Sequence, residues 1–183
     1  MDTPRFPPAT RMRAWHAALA IAAGALLTLA AFGPGAARAD EDPLARIRGL
    51  AGTWLAVDAS GRPTDQVASV FRVTANGHSV EEVMFPGTDH EMVNMYYRDV
   101  DEVHMTHYCA GGNQPVLRLV PGREPGVLEL QFLDISNMVT MNDEHMHEAR
   151  YQWLGEDRLR IEWRTFRDGR FLDASRIEML RRK

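Results

Sequence analysis

Arg158-Leu159-Arg160-Ile161-Glu162-Trp163-Arg164-Thr165 alternates, residue by residue, between charged and inward-type side chains. In an extended chain, successive side chains point to opposite faces, so Leu159, Ile161, Trp163 and Thr165 share one face. The four charged residues share the other. Such a run is a strand of an antiparallel sheet with one buried and one wet side. The same pattern flanks it. His145 to Leu154 precedes it across Gly155-Glu156-Asp157, and Arg170 to Leu180 follows it across Asp168-Gly169.

Further upstream the chain repeats strand, turn, strand. Asp42-Pro43 opens a brief helical turn to Ile47, and Leu50-Ala51-Gly52-Thr53-Trp54 leads into a first strand that Gly61-Arg62-Pro63 ends. Val67 to Thr74 and Val80 to Phe85 flank Asn76-Gly77, a strong hairpin signal. Glu91 to Arg98, Glu102 to Cys109, Pro115 to Val120 and Val127 to Leu133 complete the series between Pro, Gly and Asp turns. Asp134 to Glu144 lacks a strand pattern, and Ile135 to Met141 reads as a lid or short helix. The faces of residues 78–98 stay open, because Val80, Glu82 and Met84 compete with Val83 and Phe85. Eight to ten hairpin-linked strands avoid exposed edges by closing on themselves. The expected fold is all-β, an antiparallel up-and-down barrel.

The first 39 residues read as a cleavable signal peptide. Arg5, Arg11 and Arg13 precede the apolar run Ala17 to Phe32, and Ala37-Arg38-Ala39 supplies small residues for cleavage before Asp40. The run is shorter than the roughly 20 residues of a membrane-spanning helix. Residues 40–183 then form one domain, periplasmic or secreted. Cleavage removes four arginines and Asp2, taking the formal charge from −4 to −7. That acidic balance argues against nucleic acid and, in the mature form, against an anionic membrane surface. Cys109 is the one cysteine in the chain, which excludes an intramolecular disulfide.

The chemistry sits where polar groups fall on apolar faces, since burying them is costly unless something satisfies them. His145 and His147 alternate onto the side shared with Ala149, Tyr151 and Trp153. Met105, His107 and Cys109 share a face with Val103. Two histidines two apart on a strand suit one metal ion, with His107 as a third ligand, and Cys109 and Glu91 as further candidates. Zinc, iron, manganese or copper fit such donors. The competing reading is a hydrogen-bonded layer inside the barrel, closed by Asn94, Thr106, Tyr108, Asn113 and Gln114. His78 and His104 read as surface histidines. Cys109 beside a histidine would make a nucleophile, but no nucleophile elbow, phosphate loop, dinucleotide fingerprint or His-Glu-x-x-His accompanies it.

Gly52-Thr53-Trp54 after a short helical turn resembles the opening of lipocalins and related calycin barrels. That resemblance implies an arginine near the end of the last strand packing over the tryptophan, a part Arg176 is placed to take. The strings Gly87-Thr88-Asp89-His90-Glu91-Met92, Thr106-His107-Tyr108-Cys109, Asn113-Gln114-Pro115 and His145-Met146-His147 together resemble a family of uncharacterised bacterial lipocalin-like barrels. The likeness implies a fold and a cavity, and no reaction. A more distant likeness, to haem-binding barrels of the nitrobindin type, rests on the Gly-Thr-Trp strand and would put haem on His145 or His147. The resulting expectation is a barrel that binds a small, largely apolar molecule. His107, Cys109, His145, His147, Glu91, Tyr151, Trp153 and Met105 would line the site, with or without a metal. The alternatives are an enzyme using the same cluster and a barrel whose interior is simply filled.

Overall fold

The structure is a computed structural model and describes residues 42–140 and 142–183. The expected signal peptide and Met141 lie outside the described residues. A short helix, α1 (Pro43–Arg48), precedes ten strands. These are β1 (Gly52–Val57), β2 (Pro63–Thr74), β3 (Ser79–Met84), β4 (Met92–Asp99), β5 (Glu102–Tyr108), β6 (Gln114–Pro121), β7 (Val127–Ser136), β8 (His145–Gly155), β9 (Arg158–Arg167) and β10 (Arg170–Arg181). Each strand pairs antiparallel with the next, and β1 closes on β10. This is the up-and-down barrel that the alternation predicts.

Chain direction sorts the connections into two ends. The turns after β2, β4, β6 and β8 lie at the end where α1 sits. The turns after β1, β3, β5, β7 and β9 form the opposite rim. At the helix end, Pro43 begins α1 and Asp42 caps it by accepting the Leu44 amide at 3.0 Å. Leu44, Ile47 and Leu50 are buried there with Trp54, Leu159 and Met179, so α1 stoppers that end of the barrel.

Arg181, not Arg176, covers the tryptophan. Its guanidinium carbon lies 4.5 Å from the Trp54 ring centroid, and its nitrogens donate to Gly49 O at 2.8 Å and Ala51 O at 2.6 Å. Trp54 itself donates Nε1–H to Leu50 O at 2.7 Å. Arg176 points outward and is exposed, paired with Glu162. The reason is registry: β10 meets β1 only over Met179, Leu180 and Arg181, so residue 176 lies too far along the strand to reach Trp54.

One further expectation changes. β7 continues through Ser136 instead of giving way to a lid or helix, because Leu133 is an extra residue in the ladder. Leu117 faces Phe132 while Val116 faces Asp134, which breaks the period-2 signal without ending the strand. The hairpin expected at Asn76-Gly77 forms, joining β2 to β3 through three residues of positive φ, Ala75, Asn76 and Gly77, at 49°, 53° and 89°. Outside, the wall carries charge pairs such as Arg72–Glu81, Arg118–Glu102 and Arg160–Glu178. A lipid-facing barrel would carry an apolar band there. This wall faces water.

Candidate ligand site at the rim end of the barrel

Three neighbouring strands present one polar row to the lumen. Glu82 on β3 is registered with Asn94 on β4, and Asn94 with His107 on β5. All three are fully buried, at 0% exposure. Glu82 receives hydrogen bonds from Ser69 Oγ at 2.7 Å, Asn94 Nδ2 at 2.8 Å and Tyr96 OH at 2.5 Å. Tyr151 reaches across from β8, its hydroxyl 2.6 Å from that of Tyr96 and 3.4 Å from Glu82 Oε2. The partners around this carboxyl are neutral. Burial raises the Glu82 pKa above its ordinary 4.5, while the bonds from Tyr96, Ser69, Asn94 and Tyr151 pull it back.

The direction of each bond in this row follows from chemistry. A carboxyl oxygen accepts, so the Asn94 amide turns its NH₂ to Glu82 and its carbonyl oxygen to His107. Asn94 Oδ1 lies 2.7 Å from His107 Nδ1, and an oxygen that only accepts requires Nδ1 to carry the proton. His107 Nε2 is then a bare lone pair. Burial pushes this imidazole down to about 4, so it is neutral near pH 7. Nε2 is buried and has no hydrogen-bond partner.

From the far wall Trp163 faces His107, with ring centroids 5.0 Å apart and planes tilted by 35°. Its Nε1–H is likewise buried and unpartnered. A third such atom, Asn113 Oδ1, belongs to the rim turn after β5. The Asn113 amide nitrogen donates to Glu144 O at 3.0 Å, tying that turn to the one after β7. Buried polar atoms nearly always find partners. Among the described residues five buried side-chain atoms have none: these three and, elsewhere, Arg48 Nε and Arg118 Nε.

The two histidines of β8 sit at the same rim. His145 is 3% exposed, and its Nδ1 donates to Asp143 O at 2.9 Å. Its Nε2 therefore accepts the Nδ1–H of His147, 3.0 Å away. A β-bulge between Met146 and Glu148 makes His147 the extra residue and departs from strict alternation. The His147 ring is sandwiched between Phe132 and Phe166, at centroid distances of 4.4 and 4.2 Å. Burial first, and then the neighbouring His145, lower its pKa.

The remaining expected site residues separate. Tyr151 and Met105 are buried in the lumen. Cys109 is half-buried in the rim turn, where its sulfur accepts the Gly111 amide at 3.3 Å. Glu91 is exposed and closes its own loop by accepting the Gly87 amide at 2.7 Å. Trp153 lies at the helix end under the Arg46 guanidinium, 4.0 Å from its centroid, and so belongs to no rim site. A late register shift in β8, between Trp153 and Gly155, accompanies that placement. The imidazoles of His145 and His147 meet each other. Among the described residues, however, no three or more His, Cys, Asp or Glu side chains gather as metal ligands do.

Glu82 and Trp163 are buried beside His107 and Asn94 without a local signal in the sequence that marks them. Trp163 read as ordinary core. Glu82 was hidden because a carboxylate on a half-apolar face looks like the wet side of a strand. Two surface grooves, one beside Arg98, Glu102 and Arg118, the other along Glu129, Glu148 and Arg164, are charged and lie on the outside.

No protein-family model matches this chain, and no curated protein matches it. Among solved structures it is similar to a protein of unknown function from the DUF3598 family of Nostoc punctiforme. The identity is 15% and the TM-score 0.47, over 74% of this chain and 48% of that one. The chain thus spans about half the length of that structure.

Proposed function

We propose that this protein is an exported barrel that binds one small, largely apolar molecule at the rim end of its lumen. The observation that carries this reading is the pair of buried, unpartnered ring nitrogens, His107 Nε2 and Trp163 Nε1, on rings that meet in the lumen with centroids 5.0 Å apart. Leaving either atom unpaired costs on the order of 1–3 kcal/mol. A ligand group that pairs with both recovers that cost on binding. Lower in the lumen, Tyr96 and Tyr151 join opposite walls, so the helix end is filled and the ligand is confined above them. Met84, Met92 and Phe85 supply apolar, adaptable surface at that end. Export rests on the N-terminal segment, and the mature chain would begin at Asp40.

Native mass spectrometry of untagged protein taken from its source tests the reading. The expected result is a stoichiometric small-molecule adduct that is lost on denaturation. Bound ligand also raises stability, by about 2.7 kcal/mol at a hundredfold excess over its Kd. A protein that flies at its bare polypeptide mass, and whose melting is unmoved by a lipid extract of its source, refutes it.

A further inference from the structure

Residues that share the inner face of the barrel are buried on every strand of one row except the last. Antiparallel partners lie side by side on the same face of a sheet. From Leu119 on β6, registered partners run through Leu130 on β7, Ala149 on β8 and Trp163 on β9 to Ser175 on β10. The first four are buried, at 4%, 1%, 4% and 2% exposure. Ser175 is exposed. So is Asp173, which alternates onto the same face and is registered with Thr165.

The cause lies in β1. It meets β10 only opposite Met179, Leu180 and Arg181, and the chain then turns back over residues 58–62. Asp58 fixes that turn: its amide donates to Arg62 O at 2.8 Å, and its carboxylate accepts the Ser60 and Arg62 amides. Residues 170–176 therefore have β9 along one edge and, among the described residues, no strand along the other. The result is a notch in the wall beside Trp163, with the half-exposed Phe171 and Leu172 on its lip. We infer that this notch is the entrance of the barrel. On the binding function proposed above, an apolar ligand enters and leaves past Ser175 and Asp173, because α1 fills the opposite end.

Two tryptophans give a test that needs no ligand. Trp54 and Trp163 are almost equally buried, at 0% and 2%, but Trp54 lies under α1 and Trp163 beside the notch. In mature protein carrying Trp153→Phe, with Trp163→Phe to separate the two signals, acrylamide is expected to quench Trp163 about threefold or more faster than Trp54. Ser175→Phe should remove that difference. Ala110→Phe makes a comparable change at an exposed position in the rim turn after β5, across the barrel, and should leave it intact. If Ser175→Phe fails to fold, the comparison of Trp163 with Trp54 decides alone.

Stopped-flow binding of N-phenyl-1-naphthylamine, a neutral apolar fluorophore, tests the route itself. A constriction on the path slows arrival and departure alike and leaves the equilibrium unmoved. Ser175→Phe should thus lower both rate constants about tenfold with little change in Kd, as a gate does. Equal quenching of the two tryptophans overturns the entrance, as does equal slowing by Ala110→Phe, unchanged rates in Ser175→Phe, or failure of the fluorophore to bind. A native-mass-spectrometry adduct together with equal quenching would refute the notch and leave the binding reading standing. Absence of an adduct would refute that reading, while preferential quenching of Trp163 would still establish the opening.

Discussion

At the scale of single residues, two buried titratable groups pull stability in opposite directions with pH. His107 titrates near 6.5 when unfolded and at about 4 when folded. As pH falls through that interval the unfolded chain binds a proton that the folded chain refuses. Stability is therefore lost on acidification between 6.5 and about 4, by on the order of 3 kcal/mol in total. Glu82 has the opposite sign, since its folded pKa is raised. Its folded form keeps a proton that the unfolded chain releases above 4.5, so it erodes stability as pH rises through its folded value. His107→Gln retains an amide donor for Asn94 and removes the imidazole titration. Urea unfolding across pH 4 to 6.5 should show a shallower acid loss in that variant, and an unchanged slope would show that the loss comes from elsewhere. Tyr151→Phe removes a bond that joins opposite walls and should cost about 1–2 kcal/mol in the same assay.

At the scale of elements, the helix end depends on one side chain of the last strand. Arg181 stacks on Trp54, donates to carbonyls of the segment leaving α1 and pairs with Asp157 at 3.0 Å. Arg181→Ala is expected to cost about 2–4 kcal/mol by denaturant unfolding, since it removes charged hydrogen bonds and leaves carbonyls without partners. Lysine should restore little of this, because a point charge lacks the planar fork that reaches several carbonyls while stacking. Arg176→Ala loses only an exposed pair with Glu162 and should stay within about 0.5 kcal/mol. Equal losses at positions 176 and 181 would contradict this division.

For the whole molecule, the barrel is sealed by a short seam. β1 and β10 are paired at three positions near the helix end, while residues 170–176 of β10 are exposed and paired only with β9. Phe171 and Leu172 stand half-exposed there. Strand segments with one bare edge and few buried contacts open most readily. Hydrogen exchange should therefore label residues 170–176 well before residues 177–181. Uniform protection along β10 would mean that something covers that edge in solution. N-terminal sequencing of exported protein provides a separate check on processing, with Asp40 the expected first residue.

The barrel is legible in the order of the residues alone. Alternation in β8, β9 and β10, punctuated by Gly and Asp turns, leaves few ways to bury one face of each strand, and the buried position of His107 follows from the same period, whereas the bulge at His147 puts His145 out of phase with Ala149. That order also marked the rim strings that carry Asn113 and the two histidines of β8. The polar row and its direction arise only when the strands are brought together. Residues 78–98 offer two apolar faces of similar weight, and only closure of the barrel turned Val80, Glu82 and Met84 inward. Glu82 can be buried because Ser69, Asn94, Tyr96 and Tyr151, from three other strands, converge on it. Bulges displaced the rest: one at Leu133 hid the end of β7, and another set His147 between two phenylalanines. Local periodicity fixes which side of a strand is wet. Partners for a buried charge come from distant parts of the chain, and no local pattern encodes them.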